Sequence, residues 1–141
     1  MTESTNKRYE AMSTEWVNAL RNYVMSRIKP EDLVGVRGTI SSEATNPPKH
    51  LLRYGLDRIG WSARVENGKL EIFDRPIADA DGRVVADYAL MVRGMHVKDS
   101  EEMQFLAENR SKLEIYGHPG QLEQVFIRTN IREGFYNLYT A

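Results

Sequence analysis

Apolar residues recur along this chain with two different periods, and the changes of period divide it into elements. From about Thr5 to Ile28, Tyr9, Met12, Trp16, Leu20, Tyr23 and Arg27 fall at three- and four-residue steps, with Val17, Val24 and Ile28 widening the stripe. That spacing predicts a long helix with one face against a core. Lys29-Pro30 ends it, because the residue before a proline is pushed out of the helical region. Leu33–Ala44 has no helical stripe but carries β-branched residues and two glycines, which predicts a strand bent near Gly35 or Gly38. Asn46-Pro47-Pro48 predicts a loop, the second proline opening a turn or two of helix over Lys49–Tyr54.

The middle of the chain reads as a β meander. Ile59–Val65 and Lys69–Phe73 flank Glu66-Asn67-Gly68, and Asn-Gly between two such runs is the strongest short-range hairpin signal. After the turn Asp79-Ala80-Asp81-Gly82, the run Arg83–Val92 predicts a third meander strand. Its two alternating faces are both fairly apolar, as in a central strand covered on two sides. Ser100-Glu101-Glu102 signals a helix start, with Met103 and Leu106 facing inward and an end near Arg110. Leu113–Tyr116 predicts a brief strand. Ile127, Ile131, Phe135 and Leu138 then mark a final helix, weakened by Gly134. The sum is an α+β fold: a single domain over 1–141, with a long N-terminal helix, an antiparallel-rich meander sheet, and a C-terminal helix packed on the sheet.

Composition narrows the class of protein. The chain has 141 residues, 41% of them hydrophobic and 28% charged, as expected of one folded domain. Its 19 basic and 20 acidic residues leave a net charge of −1, which argues against a surface dominated by nucleic acid or anionic lipid. There is no cysteine, so disulfides, thiolate nucleophiles and Cys-ligated metals are excluded. No apolar run approaches membrane-spanning length, and the polar start MTESTNKRYE lacks the stretch of a secretory signal. A cytoplasmic protein without a membrane span is the expectation.

Few residues advertise chemistry. His50, His96 and His118 lack metal-ligand spacing, there is no nucleotide-binding glycine loop or nucleophile elbow, and no metal or cofactor is expected. Ser41 and Ser42 need a converging histidine and acid to act as nucleophiles. Asp79 and Asp81 fit a turn better than a calcium loop. His50, a turn away from Arg53 and Tyr54 and just after a rigid Pro-Pro, has the chemistry to orient a carboxylate or enolate. Asp87, beside Tyr88 in an apolar strand and on the face of Val85, Ala89 and Met91, is on a wet face, bonded to a partner, or a general base with a raised pKa.

The order of features from Trp61 to Phe126 resembles the sterol-carrier-protein domain. Trp61 precedes the hairpin Glu66-Asn67-Gly68-Lys69-Leu70; Ala86-Asp87-Tyr88-Ala89-Leu90, Ser100-Glu101-Glu102, Leu113–Gly117 and Leu122–Phe126 follow in the family's order. The resemblance implies a layered α+β domain with an apolar tunnel under the last helix. A competing resemblance, to the cone-shaped α+β barrels of the nuclear-transport-factor type, suits the length, long first helix and meander, but those domains end in strands.

Three functions are therefore weighed. The first is binding of an apolar, lipid-like or polycyclic small molecule in a cavity walled by Trp61, Leu90, Met91, Phe105, Phe126, Ile127 and Ile131, since methionine and aromatic side chains adapt to varied ligands. The second is a cofactor-free isomerase, dehydratase or hydrolase using Asp87, His50 and Tyr88 as acid–base groups. The third is a homodimeric interaction subunit without a pocket.

Overall fold

A computed structural model describes residues 8–118, 120–131 and 140. In chain order its main elements are α1 (Thr14–Arg27), β1 (Gly38–Thr45), β2 (Ile59–Glu66), β3 (Lys69–Phe73), β4 (Gly82–Asp87), α2 (Tyr88–Met95), α3 (Asp99–Asn109), β5 (Glu114–Gly117) and α4 (Gly120–Arg128), with short 3-10 turns at Pro30–Leu33, Lys49–Leu51 and Arg110–Lys112. The α+β class, with helices packed on an antiparallel-rich sheet, is as the sequence predicts.

The hairpin is where the sequence places it. Asn67 and Gly68 take φ values of 53° and 76° between the paired residues Glu66 and Lys69, the left-handed pair that a two-residue turn needs to match strand twist. The meander is corrected at its third strand. The sheet order is β3-β2-β1-β4-β5, and β4 runs parallel to β1 rather than beside β3. A parallel neighbour requires a crossover, here the segment 74–81, which passes behind β2 and β1. The Ser62 hydroxyl donates to the Arg75 carbonyl (2.7 Å) and the Ile77 amide donates to the Ser41 hydroxyl (3.0 Å). Small side chains on that face of the strands leave room for the crossing chain.

The first helix begins later than the periodicity suggests. Ser13 is its N-cap, accepting from the Trp16 amide, and Met12 before it has φ 64°, a conformation no helix continues through. Tyr9 and Met12 therefore precede the helix, Tyr9 forming an isolated bridge with Thr140; the first two or three positions expected in the helix lie outside the described residues. Trp16, Val17, Leu20 and Val24 of α1 are fully buried with Ile59, Trp61, Ala63 and Val65 of β2 and Leu70 and Ile72 of β3.

Three other expectations are also corrected. Arg83–Val92 is not one strand: the chain leaves the sheet at Asp87, whose carboxylate accepts from the Ala89 amide and caps α2. Ala89, Leu90 and Met91 are good helix formers, so a strand-like alternation of apolar residues yields to the cap. Among the described residues the last helix, α4, stops at Arg128, just after the first position of the predicted stripe. Asn130 takes φ 52° and the amides of Asn130 and Ile131 reach back to the carbonyls of Ile127 and Phe126 (3.1 Å each), which is the Schellman arrangement. Phe135 and Leu138 lie outside the described residues. In α3, Met103 and Leu106, expected to face inward, are 82% and 42% exposed.

Candidate apolar ligand site

The register of the ladders decides which side chains face the helices. Ile40, Ser42 and Ala44 of β1 stand opposite Ala63, Trp61 and Ile59, and on the other side opposite Gly82, Val84 and Ala86. Val84 in turn stands opposite Ile115 of β5. Successive side chains point to opposite faces, so Val84 and Ile115 share the helix-side face with the buried Trp61. Under α4 that face is filled: Leu122 and Val125 are buried, and the Phe126 ring lies 6.4 Å from that of Trp61. Towards β5 it opens. Ile115 is 60% exposed although it faces the same side as the core, and Ile127 of α4 is 64% exposed.

The cavity-wall residues expected from sequence divide into two groups. Trp61 and Ile131 are buried in the main core, with Met91 and Phe126 packed against it. Leu90 is buried on α2, Phe105 of α3 rests against Gly94 of α2, and Ile127 points to water. Among the described residues they are split between the main core (Trp61, Met91, Phe126 and Ile131) and positions outside it (Leu90, Phe105 and Ile127). Sequence reasoning missed Ile115 and Val84, because only the parallel placement of β4 beside β1 brings them onto the helix side.

The acid–base candidates are tied into structure. Asp87 is exposed, accepts from the Asn46 side-chain amide (3.0 Å) as well as from the Ala89 amide (3.1 Å), and thus locks the loop before Pro47 onto the start of α2. The Tyr88 hydroxyl donates to the Ala11 carbonyl (2.9 Å). Burial, with a smaller contribution from Glu10, pushes its phenol above the ordinary value, the wrong direction for a base at neutral pH. His50 is exposed and lies 2.7 Å from Glu10. His50 and Tyr88 thus converge on the Glu10–Ala11 segment while Asp87 turns towards Asn46. The Arg53 guanidinium, paired with His50 in the sequence reading, donates instead to the carbonyls of Asp74, Leu51 and Met12 (2.8–3.0 Å). Tyr54 donates to Asp74 (2.7 Å).

One polar cluster had no sequence signal. Glu43, 2% exposed on the crossover face, accepts two hydrogen bonds from Arg83 (2.8 and 2.9 Å), one from Arg58 (3.2 Å) and one from the Ser41 hydroxyl (3.1 Å). Burial alone would raise its carboxyl, but these donors together outweigh burial and hold it below the usual value. The bidentate pairing is the geometry Arg supplies best. Ser41 is thereby a structural donor rather than a nucleophile. Elsewhere, an open polar cleft of about 350 Å³ lies at the end of the central strands, lined by Arg37, Thr39, Arg64, Glu66 and Asp81 among others. Among the described residues no acidic or histidine group is arranged to hold a metal ion, and no helix is long and apolar enough to cross a membrane.

No protein-family model matches the sequence, and no curated protein matches it. Solved structures do. Sterol carrier protein 2 superposes with a TM-score of 0.57 over 92% of this chain and 99% of its own, at 14% identity. The chain has the fold of a sterol-carrier-protein domain. A conserved protein from Thermus thermophilus, suggested to be a sterol carrier protein, gives a TM-score of 0.52 over 97% of this chain and 95% of its own, also at 14% identity. In this chain the residues behind the sequence resemblance fall in order on Trp61 in β2, the Asn67-Gly68 hairpin, Asp87 ending β4, Glu101 and Glu102 in the first turn of α3, and Leu122–Phe126 in α4. At this identity the likeness is one of sterol-carrier-protein fold.

Proposed function

We propose that this domain binds an apolar, lipid-like molecule along the helix-side face of the sheet, between its β4–β5 end and α4. The observation that carries the proposal is Ile115: a side chain on the core-facing side of a sheet yet 60% exposed. Val84 lies beside it, and Ile127 of α4 is likewise exposed. An apolar surface open to water is a cost that a ligand removes, at about 25 cal/mol per Å² covered. Sterol carrier protein 2, whose fold the chain shares, is named for a sterol cargo, which supports a rigid apolar molecule of that class or an acyl chain. Trp61 sits behind Phe126, so it reports on a ligand seated near α4.

The test is titration with a fluorescent sterol that accepts energy from tryptophan. Saturable transfer is expected, and Phe126→Asp should weaken binding roughly ten- to thirty-fold by replacing buried apolar area with a charge. A folded protein that neither binds the sterol nor a fluorescent fatty acid would overturn the proposal. The acid–base reading has no comparable support, because each of its three candidates is engaged in a bond that holds the fold.

A further inference from the structure

The hydrogen-bonding pattern of β5 is set by its neighbour. The His118 amide donates to the Asp81 carbonyl (2.8 Å), which makes 81 and 118 a hydrogen-bonded pair in the β4–β5 register. Pairs alternate in an antiparallel ladder. Tyr116 and Glu114 therefore turn their backbone groups towards β4, and Ile115 and Gly117 turn theirs outward from the sheet edge. All four residues of β5 are exposed, and among the described residues β5 ends the sheet order.

Edges are ordinarily defended by lysine, proline, a bulge or a covering segment. The opposite edge is defended: the outward carbonyl of Ile72 accepts two hydrogen bonds from Arg21 of α1 (2.7 and 3.3 Å), and Lys69 opens that strand with a charge. The sequence Glu114-Ile115-Tyr116-Gly117 has neither lysine nor proline, and its exposed side chains are a glutamate, an isoleucine and a tyrosine.

We propose that β5 is a self-association edge whose partner is β5 of a second copy of this chain, paired antiparallel about a two-fold axis at Ile115. The sequence is self-complementary in that arrangement and in no register shifted by one, which would turn the faces over. Ile115 meets Ile115 of the partner subunit on the helix side as a hydrogen-bonded pair. Glu114 meets Tyr116 of the partner subunit on the other face, where a phenol donor faces a carboxylate; within one chain the same two groups already bond at 2.5 Å. The outward amide of Gly117 faces the carbonyl of Leu113 of the partner subunit. Gly117 also fixes the strand's end, since a Cβ there would fall 2.0 Å from the Asp81 carbonyl oxygen. Pairing sets two copies of Ile115 side by side and makes one ten-stranded sheet from two five-stranded ones. So short an edge buries less than a standard interface, and dissociation in the range of roughly 10–500 μM is expected.

The pairing is independent of any ligand and is tested without lipid. Analytical ultracentrifugation across that concentration range should show a monomer–dimer equilibrium. Ile115→Lys, which sets two like charges opposite each other, should abolish it, while Phe126→Asp, the variant that tests lipid binding, should leave it intact. Because the chain has no cysteine, Ile115→Cys supplies a second measurement that needs no destabilising charge. Cα atoms of such a pair stand about 5.5 Å apart, within reach of a disulfide, so this variant should cross-link to a dimer on mild oxidation. Met103→Cys, on α3 and more exposed still, should cross-link at least tenfold more slowly. A wild-type protein that stays monomeric at 500 μM, an Ile115→Lys variant that still dimerises, or equal cross-linking at 115 and 103 would each overturn the proposal.

Discussion

At the β3 end of the sheet, α1 lays Trp16, Val17, Leu20 and Val24 over Leu70 and Ile72, Arg21 closes the strand edge, and Arg53 gathers the carbonyls of Met12, Leu51 and Asp74 into one clamp. At the β5 end every strand residue is exposed and α3 shows Met103 and Leu106 to water. The same sheet thus has a sealed end and an open one. Buried apolar contacts and satisfied carbonyls concentrate stability at the first, while the second keeps apolar area uncovered. Regions that bind or exchange partners are drawn from the less stable part of a structure. The contrast places the foundation at β3, and the proposed ligand and partner would use the β5 end.

Truncation at the two ends measures the contrast most directly. Trp16→Ala removes a fully buried indole whose Nε1 donates to Thr140 Oγ1 at 2.8 Å, and should cost about 3–5 kcal/mol of unfolding free energy. Ile115→Ala, measured by the same denaturant titration at a concentration where the chain is monomeric, should change stability by less than about 0.5 kcal/mol. Comparable costs at the two sites would mean that the β5 end is sealed as well.

The crossover face offers a test through pH. Glu43 and Asp74 both titrate below their ordinary values in the folded protein. Burial opposes this in each case and is outweighed, in Glu43 by Arg83, Ser41 and Arg58, and in Asp74 by Tyr54, Thr14 and Arg53. A depressed folded pKa means that stability is complete above the unfolded values of 4.5 and 3.8 and is lost as pH falls through the folded ones. Glu43→Gln should cost about 1–3 kcal/mol near pH 7, by weakening charged hydrogen bonds to arginines that still reach water. Unfolding curves between pH 7 and pH 3 should then show a shallower acid dependence than the wild type. An unchanged acid limb would mean that Glu43 contributes nothing to the acid sensitivity of the fold. The effect belongs to β1 and β4, midway between the two ends.

What could be read from sequence follows the same division. The Asn67-Gly68 turn was legible because a two-residue loop with two left-handed residues has few alternatives, and the α1 core was legible because its stripe is long. The early start predicted for α1 failed on one residue, Met12, whose φ of 64° sets apart a segment that bridges to Thr140 through Tyr9, a long-range contact that no local period encodes. The strand predicted through Val92 failed because Val84–Met91 is apolar at both periods, and the choice fell to the Asp87 cap. Ile115 and Glu43 were invisible for a shared reason. Each gains its surroundings from the parallel β1–β4 pairing, a long-range contact that no local period encodes.

The smallest expected effect is also the one that separates binding from catalysis. Asp87 stands at the junction of β4 and α2, where its carboxylate accepts from the Ala89 amide and from Asn46. Asparagine caps a helix about as well as aspartate and keeps an oxygen for the Ala89 amide; its NH2 then stands where the other carboxylate oxygen accepted from Asn46, so the Asn46 amide must turn its own oxygen towards it, and the favourable charge at the helix N-terminus is lost, about 0.3–1 kcal/mol. Asp87→Asn should therefore fold with nearly wild-type stability and bind the sterol probe unchanged, whereas Asp87→Ala, which removes the cap and the tie to Asn46, should cost about 1 kcal/mol or somewhat more. A general base behaves in the opposite order. Its removal as Asn would leave the fold intact and cost roughly a hundredfold or more in turnover of any substrate, and Ala would differ little from Asn. Unfolding and binding measured on both variants distinguish the two orders. If Asp87→Asn leaves stability and sterol binding untouched yet abolishes a turnover that the wild type shows, Asp87 belongs to a reaction centre, and the open end of the sheet admits a substrate rather than a cargo.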